Sequence, residues 1–215
     1  MKDRFDLIIF DWDGTLINSI DWIVHCLQHA AFTCKCEVPS EQEAKNVIGL
    51  SLKKAMSRLF PETEQDIQQQ LAASYSKHYL SKPIKPEDLF DGVYDMLVDL
   101  KGAGYQLAVA TGKTRTGLDK ALKATGTENL FSFTRCADET ASKPSPLMIH
   151  QIIQQLDAAN ERTVMIGDSV HDMQMAANAE ISSVAVSSGT HSSKTLQQFN
   201  PLLCLNHITE LQELL

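Results

Sequence analysis

The sequence predicts an α/β fold, a doubly wound parallel sheet with an all-helical segment inserted after its first strand. Two observations carry this. Short apolar runs rich in Val and Ile (residues 7–10, 106–110, 163–166, 184–186 and, weakly, 202–205) alternate with amphipathic segments, the pattern of strands buried on both faces and joined by helices. Residues 17–85 break that rhythm, showing no convincing strand but apolar positions at helical spacing.

The first strand is Leu7-Ile8-Ile9-Phe10. In the insertion, Ile20, Ile23, Val24, Leu27, Ala30 and Ala31 trace one helical face, and residues 41–59 and 64–80 read as helical, enough to close a small bundle. Ser81-Lys82-Pro83-Ile84-Lys85-Pro86 sets two prolines among polar residues, as a linker does. The expected domains are therefore an α/β core at 1–16 and 86–215 and a helical domain at 17–85. Further helices are expected over 92–102, 114–124, 145–157 and 170–178, with Pro144 and Pro146 near the third start and Gly102, Gly104 and Gly126 near ends.

A chain of 215 residues is long enough to bury a sizeable core, and its formal charge of -8 disfavours a general affinity for nucleic acid or an anionic membrane. No apolar run approaches the length of a membrane span, and Met1-Lys2-Asp3-Arg4-Phe5 leads into a strand without a signal-peptide pattern. A cytoplasmic protein is expected, a monomer or weak homodimer with no nucleic-acid or membrane partner. Its 5 cysteines, an odd number scattered at 26, 34, 36, 136 and 204, read as reduced thiols rather than a disulfide framework.

Polar clusters follow the strands. Asp11 and Asp13 come directly after the first, Thr111-Gly112-Lys113 after the second, and Gly167-Asp168-Ser169-Val170-His171-Asp172 after residues 163–166, with Ser142-Lys143-Pro144 between. The carboxyl ends of strands are where open α/β sheets bind ligands. Asp11 and Asp168 supply hard oxygen donors suited to Mg²⁺, while Lys143, the Thr111 hydroxyl and the Gly112 N–H supply the donors a phosphoryl oxygen needs. A carboxylate facing that group can act as nucleophile. A second acid must then protonate the departing alkoxide and deprotonate water. Asp13 is placed for that task, because residues two apart on an extended chain point the same way.

Two rival motifs fail on spacing. A calcium loop starting at Asp11 needs glycine sixth and glutamate twelfth, where Leu16 and Trp22 stand. A P-loop ending in Gly112-Lys113-Thr114 needs glycine where Leu107 stands. His25, His29, Cys34 and Cys36 offer a possible zinc set, but their spacing matches no common zinc module.

Asp11-Trp12-Asp13-Gly14-Thr15-Leu16 with Ser19, then Ala110-Thr111-Gly112-Lys113, Ser142-Lys143-Pro144 and Gly167-Asp168-Ser169-Val170-His171-Asp172, in that order, resemble the four motifs of the haloacid dehalogenase superfamily. The helical insertion resembles the C1-type cap of its phosphoglycolate phosphatase-like branch. The resemblance implies a Rossmann-like core of strand order 3-2-1-4-5 and a Mg²⁺-dependent phosphatase of small phosphorylated metabolites, phosphoglycolate among them, working through an aspartyl phosphate. It implies Asp11 as nucleophile and metal ligand, and Asp13 as acid/base and, through its backbone carbonyl, metal ligand. Asp168 becomes the remaining protein ligand, Thr111, Gly112 and Lys143 the phosphate-binding residues, and Asp172 a support for Lys143 or a metal-bound water. Gly49 and Lys53 or Lys54, in a segment that resembles the cap's site-facing loop, and Lys113 and Arg115 are candidates for substrate selection. Two alternatives remain: a sugar phosphomutase of the β-phosphoglucomutase type, which shares every core motif, and a non-enzymatic phospho-acceptor switch.

Overall fold

The computed structural model describes residues 4–213; residues 1–3 and 214–215, which the sequence reading assigned to the core domain, lie outside them. Six parallel strands form one sheet in the order β3-β2-β1-β4-β5-β6: β1 (Leu7–Phe10), β2 (Gln106–Thr111), β3 (Phe133–Cys136), β4 (Thr163–Gly167), β5 (Ser182–Val186) and β6 (Leu203–Leu205). The first five follow the expected order, and the weak run at 202–205 adds a sixth strand at one edge. The strand at 133–136 escaped the sequence reading because Phe-Thr-Arg-Cys lies on the opposite edge, three of its four residues half-buried, and lacks the apolar run that marks a central strand.

The central strands are apolar on both faces because both are covered. Ile8, Phe10, Leu107, Val109 and Ile166 join one cluster with α5 (Val93–Gly102) and α6 (Arg115–Thr125), while Leu7, Ile9, Ala108, Ala110 and Met165 join another with α7 (Leu147–Leu156) and α8 (Val170–Asn178). This is the period of two that a pleated strand imposes. All four side chains of β1 are fully buried, at about 1.5–3 kcal/mol of hydrophobic stabilisation each.

Between β1 and α5 lie α1 (Ile20–Thr33), α2 (Glu41–Lys45), α3 (Leu52–Leu59) and α4 (Gln65–Tyr79). Ile23, Val24, Leu27, Ala30, Val47, Met56 and Leu71 form a third cluster separate from the two on the sheet. The helix expected over 41–59 is broken. Ser40 caps α2 with a capping box through Glu43, Ser51 caps α3 anew, and Gly49 between them has φ +91°, a conformation that ends helices. The apolar spacing ran on through the break because Val47, Ile48 and Leu50 are buried as well. At the chain crossings Ile17 and Leu89 form an antiparallel bridge, and both join the sheet's cluster. No helix among the described residues is long and apolar enough to cross a membrane.

Candidate active site

Asp11 is the first residue past β1, and its N–H donates to the Ile166 carbonyl at 2.9 Å. The ladder thus carries one residue beyond the sheet and sets the carboxylate on its C-terminal rim. Asp168 is the first residue past β4, whose Ile166 stands opposite Phe10 of β1. The order reversal at this strand pair places both acids at the sheet's switch point. Asp172 joins them from the first turn of α8, where Ser169 caps the helix and accepts the Asp172 N–H. Carboxylate oxygens of Asp11, Asp168 and Asp172, all buried, lie within 4.8 Å of one another.

Lys143, in the loop between β3 and α7, brings its ammonium 2.6 Å from Asp11 Oδ1 and 2.7 Å from Asp172 Oδ1. Burial works against the charge on Lys143, but the carboxylates of Asp11 and Asp172 overcome it and hold its pKa above the ordinary lysine value. Burial drives the Asp11 pKa well above the carboxylate range, with Lys143 pulling against it and Asp172 and Asp168 reinforcing it. Asp168 is pushed up to about 6 by burial and the neighbouring Asp172, against hydrogen bonds from Thr190 and Thr15.

Asp13 is buried beside this group. It accepts from Ser19 Oγ at 2.7 Å and pairs with Lys113 Nζ at 2.9 Å. Lys113 also donates to the Tyr79 hydroxyl at 2.9 Å, so its ammonium joins the sheet rim to α4. Thr111 and Gly112, at the end of β2, line the same cavity as Asp11 and Asp13, which encloses about 430 Å³ between the rim and the helical layer. Gly112 has to be glycine: a Cβ there would stand 2.6 Å from the carbonyl oxygens of Gly49 and Leu50. The loop between α2 and α3 therefore rests directly on the end of β2. Ser51 N–H donating to Ser142 Oγ at 2.8 Å, and Lys54 Nζ to the Lys143 carbonyl at 3.1 Å, hold that loop and the start of α3 down.

Several residues of the site were not singled out in the sequence. Thr190 fixes Asp168 Oδ2 through its N–H at 2.7 Å and its hydroxyl at 2.6 Å, and Thr15 donates to Oδ1 at 2.8 Å. Thr15 lies inside the first motif, and Ser169 three before Asp172 is a readable capping pattern; nothing near Thr190 or Tyr79 signals their partners. Gly14, at φ +82°, lets the turn pass Asp168, whose Oδ2 would be 2.4 Å from a Cβ there.

Among the candidates for substrate selection, Gly49 and Lys113 line the cavity and Lys53 does not. Lys54 is turned to the Lys143 carbonyl, and Arg115 is taken by Glu139, Asp119 and Thr134. His25 stacks on Trp22 and His29 on His78 rather than meeting the cysteines, and Cys36 Sγ bonds the Cys34 carbonyl.

The donor set fits a hard divalent cation. Four carboxyl groups, Asp11, Asp13, Asp168 and Asp172, all buried, gather around only two ammonium groups, those of Lys113 and Lys143, at one end of the cavity, a formal excess of two negative charges when all four ionise. Asp11 Oδ1, though beside Lys143, accepts no well-aligned hydrogen bond. Oxygen donors around an uncompensated charge suit Mg²⁺ over softer metals.

The model of the haloacid dehalogenase-like hydrolase family matches residues 8–186. The chain is 29% identical over 212 residues to pyrophosphatase PpaX of Halalkalibacterium halodurans, covering 98% of this chain and 97% of that one. It is 27% identical over 214 residues to phosphoglycolate phosphatase of Colwellia psychrerythraea, covering 96% and 95%. A solved structure from Bacteroides fragilis, 25% identical, superposes with a TM-score of 0.88 over 97% of this chain and 100% of that one. With the family model spanning all four motif clusters, the chain belongs to the haloacid dehalogenase-like hydrolase family.

Proposed function

We propose that the protein is a Mg²⁺-dependent phosphatase of a small phosphomonoester, with Asp11 as nucleophile and Asp13 as acid/base. The observation that carries the reading is the pairing of Asp11 and Asp168 at one switch point, with Asp13 two residues on and facing the same cavity. Asp11, Asp168 and the Asp13 backbone carbonyl would hold the cation, which when bound supplies charge to the transferring phosphoryl oxygens and orients them. Thr111, the Gly112 N–H and Lys143 bind those oxygens, Lys143 being kept in line by Asp172.

An oxygen of Asp11 attacks phosphorus and the ester P–O bond breaks, while Asp13 gives its proton to the departing alkoxide. Asp13 then takes a proton from the water that attacks the aspartyl phosphate, which frees Asp11 and releases phosphate. The helical layer over the rim, residues 17–85 in our proposed division, excludes bulk water meanwhile.

The test is phosphate release with Mg²⁺ and with excess chelator, for the native protein and Asp11→Asn. Release that stops with either change supports the reading; release retained by Asp11→Asn overturns the mechanism. Phosphoglycolate, implied by the family resemblance, and pyrophosphate, in a relative's name, are the first substrates to try. Isomerisation of a sugar 1-phosphate without phosphate release would substitute the mutase reading.

A further inference from the structure

We propose that the alcohol released from the substrate is uncharged and predominantly apolar; this rests on the phosphatase reading and specifies its leaving group. Beyond Asp11 and Thr111 the apolar part of the cavity wall includes Ile23, Leu27, Ile48 and Leu50 from the helical layer and Tyr75 and Tyr79, while Ser76, Thr114, Thr116 and three lysines also line the cavity. The two rings are stacked with centroids 5.7 Å apart. The phosphoryl group occupies the polar end, so the leaving group is what meets this wall.

A carboxylate or second phosphate there would need a cation. Lys113 is the lysine of the rim, and its ammonium is already held by Asp13 and Tyr79. Lys82 lies over the Trp22 ring near Asp88, with half its side chain in solvent, and Lys120 is exposed. Both line the cavity but are exposed to solvent, so neither ammonium is desolvated against a bound group. Lys53 is outside it and Lys54 points at the Lys143 carbonyl. An anion moved into this apolar end gives up its hydration without a partner, which is strongly unfavourable. An apolar chain or ring of matching size is favoured by the same wall, and a volume of about 430 Å³ exceeds what a two-carbon acid fills.

The experiment compares kcat/KM for phosphate release, with Mg²⁺ present, from propyl, butyl, pentyl and hexyl phosphate, 2-phenylethyl phosphate, phosphoglycolate and pyrophosphate. The alkyl series keeps the leaving-group chemistry constant while the apolar surface grows. We expect a rise of about two- to fourfold per methylene, and 2-phenylethyl phosphate ahead of phosphoglycolate by about tenfold or more. No gain along the series, or phosphoglycolate or pyrophosphate at or above hexyl phosphate, overturns the inference and leaves the phosphatase reading standing. Release from none of these compounds overturns both.

Discussion

The ammonium of Lys113 lies 3.0 Å from Oδ1 and 2.9 Å from Oδ2 of Asp13. The two residues stand 100 positions apart in the chain, and the same ammonium bonds Tyr79 in the helical layer. We propose Lys113 as a positioning residue for Asp13, tied through Tyr79 to the helical layer. Lys113→Met is expected to lower kcat by about 10- to 100-fold, as loss of an outer-shell partner does, with a smaller change in KM and a displaced pH–rate profile. An unchanged kcat and profile would remove Lys113 from that role.

Gly112→Ala puts a methyl group where the carbonyl oxygens of Gly49 and Leu50 would be 2.6 Å away. Neither is a flexible side-chain end, so the loop between α2 and α3 has to lift from the rim. A displacement near 1 Å costs roughly 100-fold in rate. We expect kcat/KM to fall by about that factor while the melting temperature moves little; full activity would mean that the loop does not rest there in solution.

Lys143 sits with Asp11 and Asp172 out of contact with solvent. Lys143→Met leaves those carboxylates buried without their cation, a change that costs about 3–5 kcal/mol. Urea unfolding in chelator should show the midpoint falling accordingly. Adding Asp172→Asn should recover part of the loss, since that double change removes one unpaired charge; a loss that does not shrink would place the cost elsewhere.

The thiols divide by burial. Those of Cys26 and Cys136 are pushed up to about 12, in both cases chiefly by burial, while Cys34, Cys36 and Cys204 are half-buried. The thiolate is the reacting form. Ellman's reagent at neutral pH should therefore reach no more than three thiols quickly in the native protein and all 5 once it is unfolded. Rapid reaction of all five under native conditions would show that the packing of α1 or β3 is open.

The amino-acid sequence alone determined the central strands and the acids at their ends. A strand covered on both faces must be apolar throughout, as Leu7–Phe10 is, so an Asp directly after it is conspicuous. Helix periodicity likewise marked α1, α4, α5, α6, α7 and α8. Periodicity fails where burial and helicity part company. Val47, Ile48 and Leu50 are buried without being helical, and Phe133–Cys136 is a strand without being fully buried.

Only the tertiary structure decided which groups share the site. Thr190 on Asp168, Tyr79 and Lys113 by Asp13, and the carbonyls of Gly49 and Leu50 on Gly112 are contacts between segments far apart in the chain. Local spacing carries no trace of them, because crossovers and docking of the helical layer, not neighbouring residues, bring them within hydrogen-bond reach. The apolar wall is of the same kind: each of its residues reads as ordinary core in its own segment, and only the cavity left between the helical layer and the sheet brings them together.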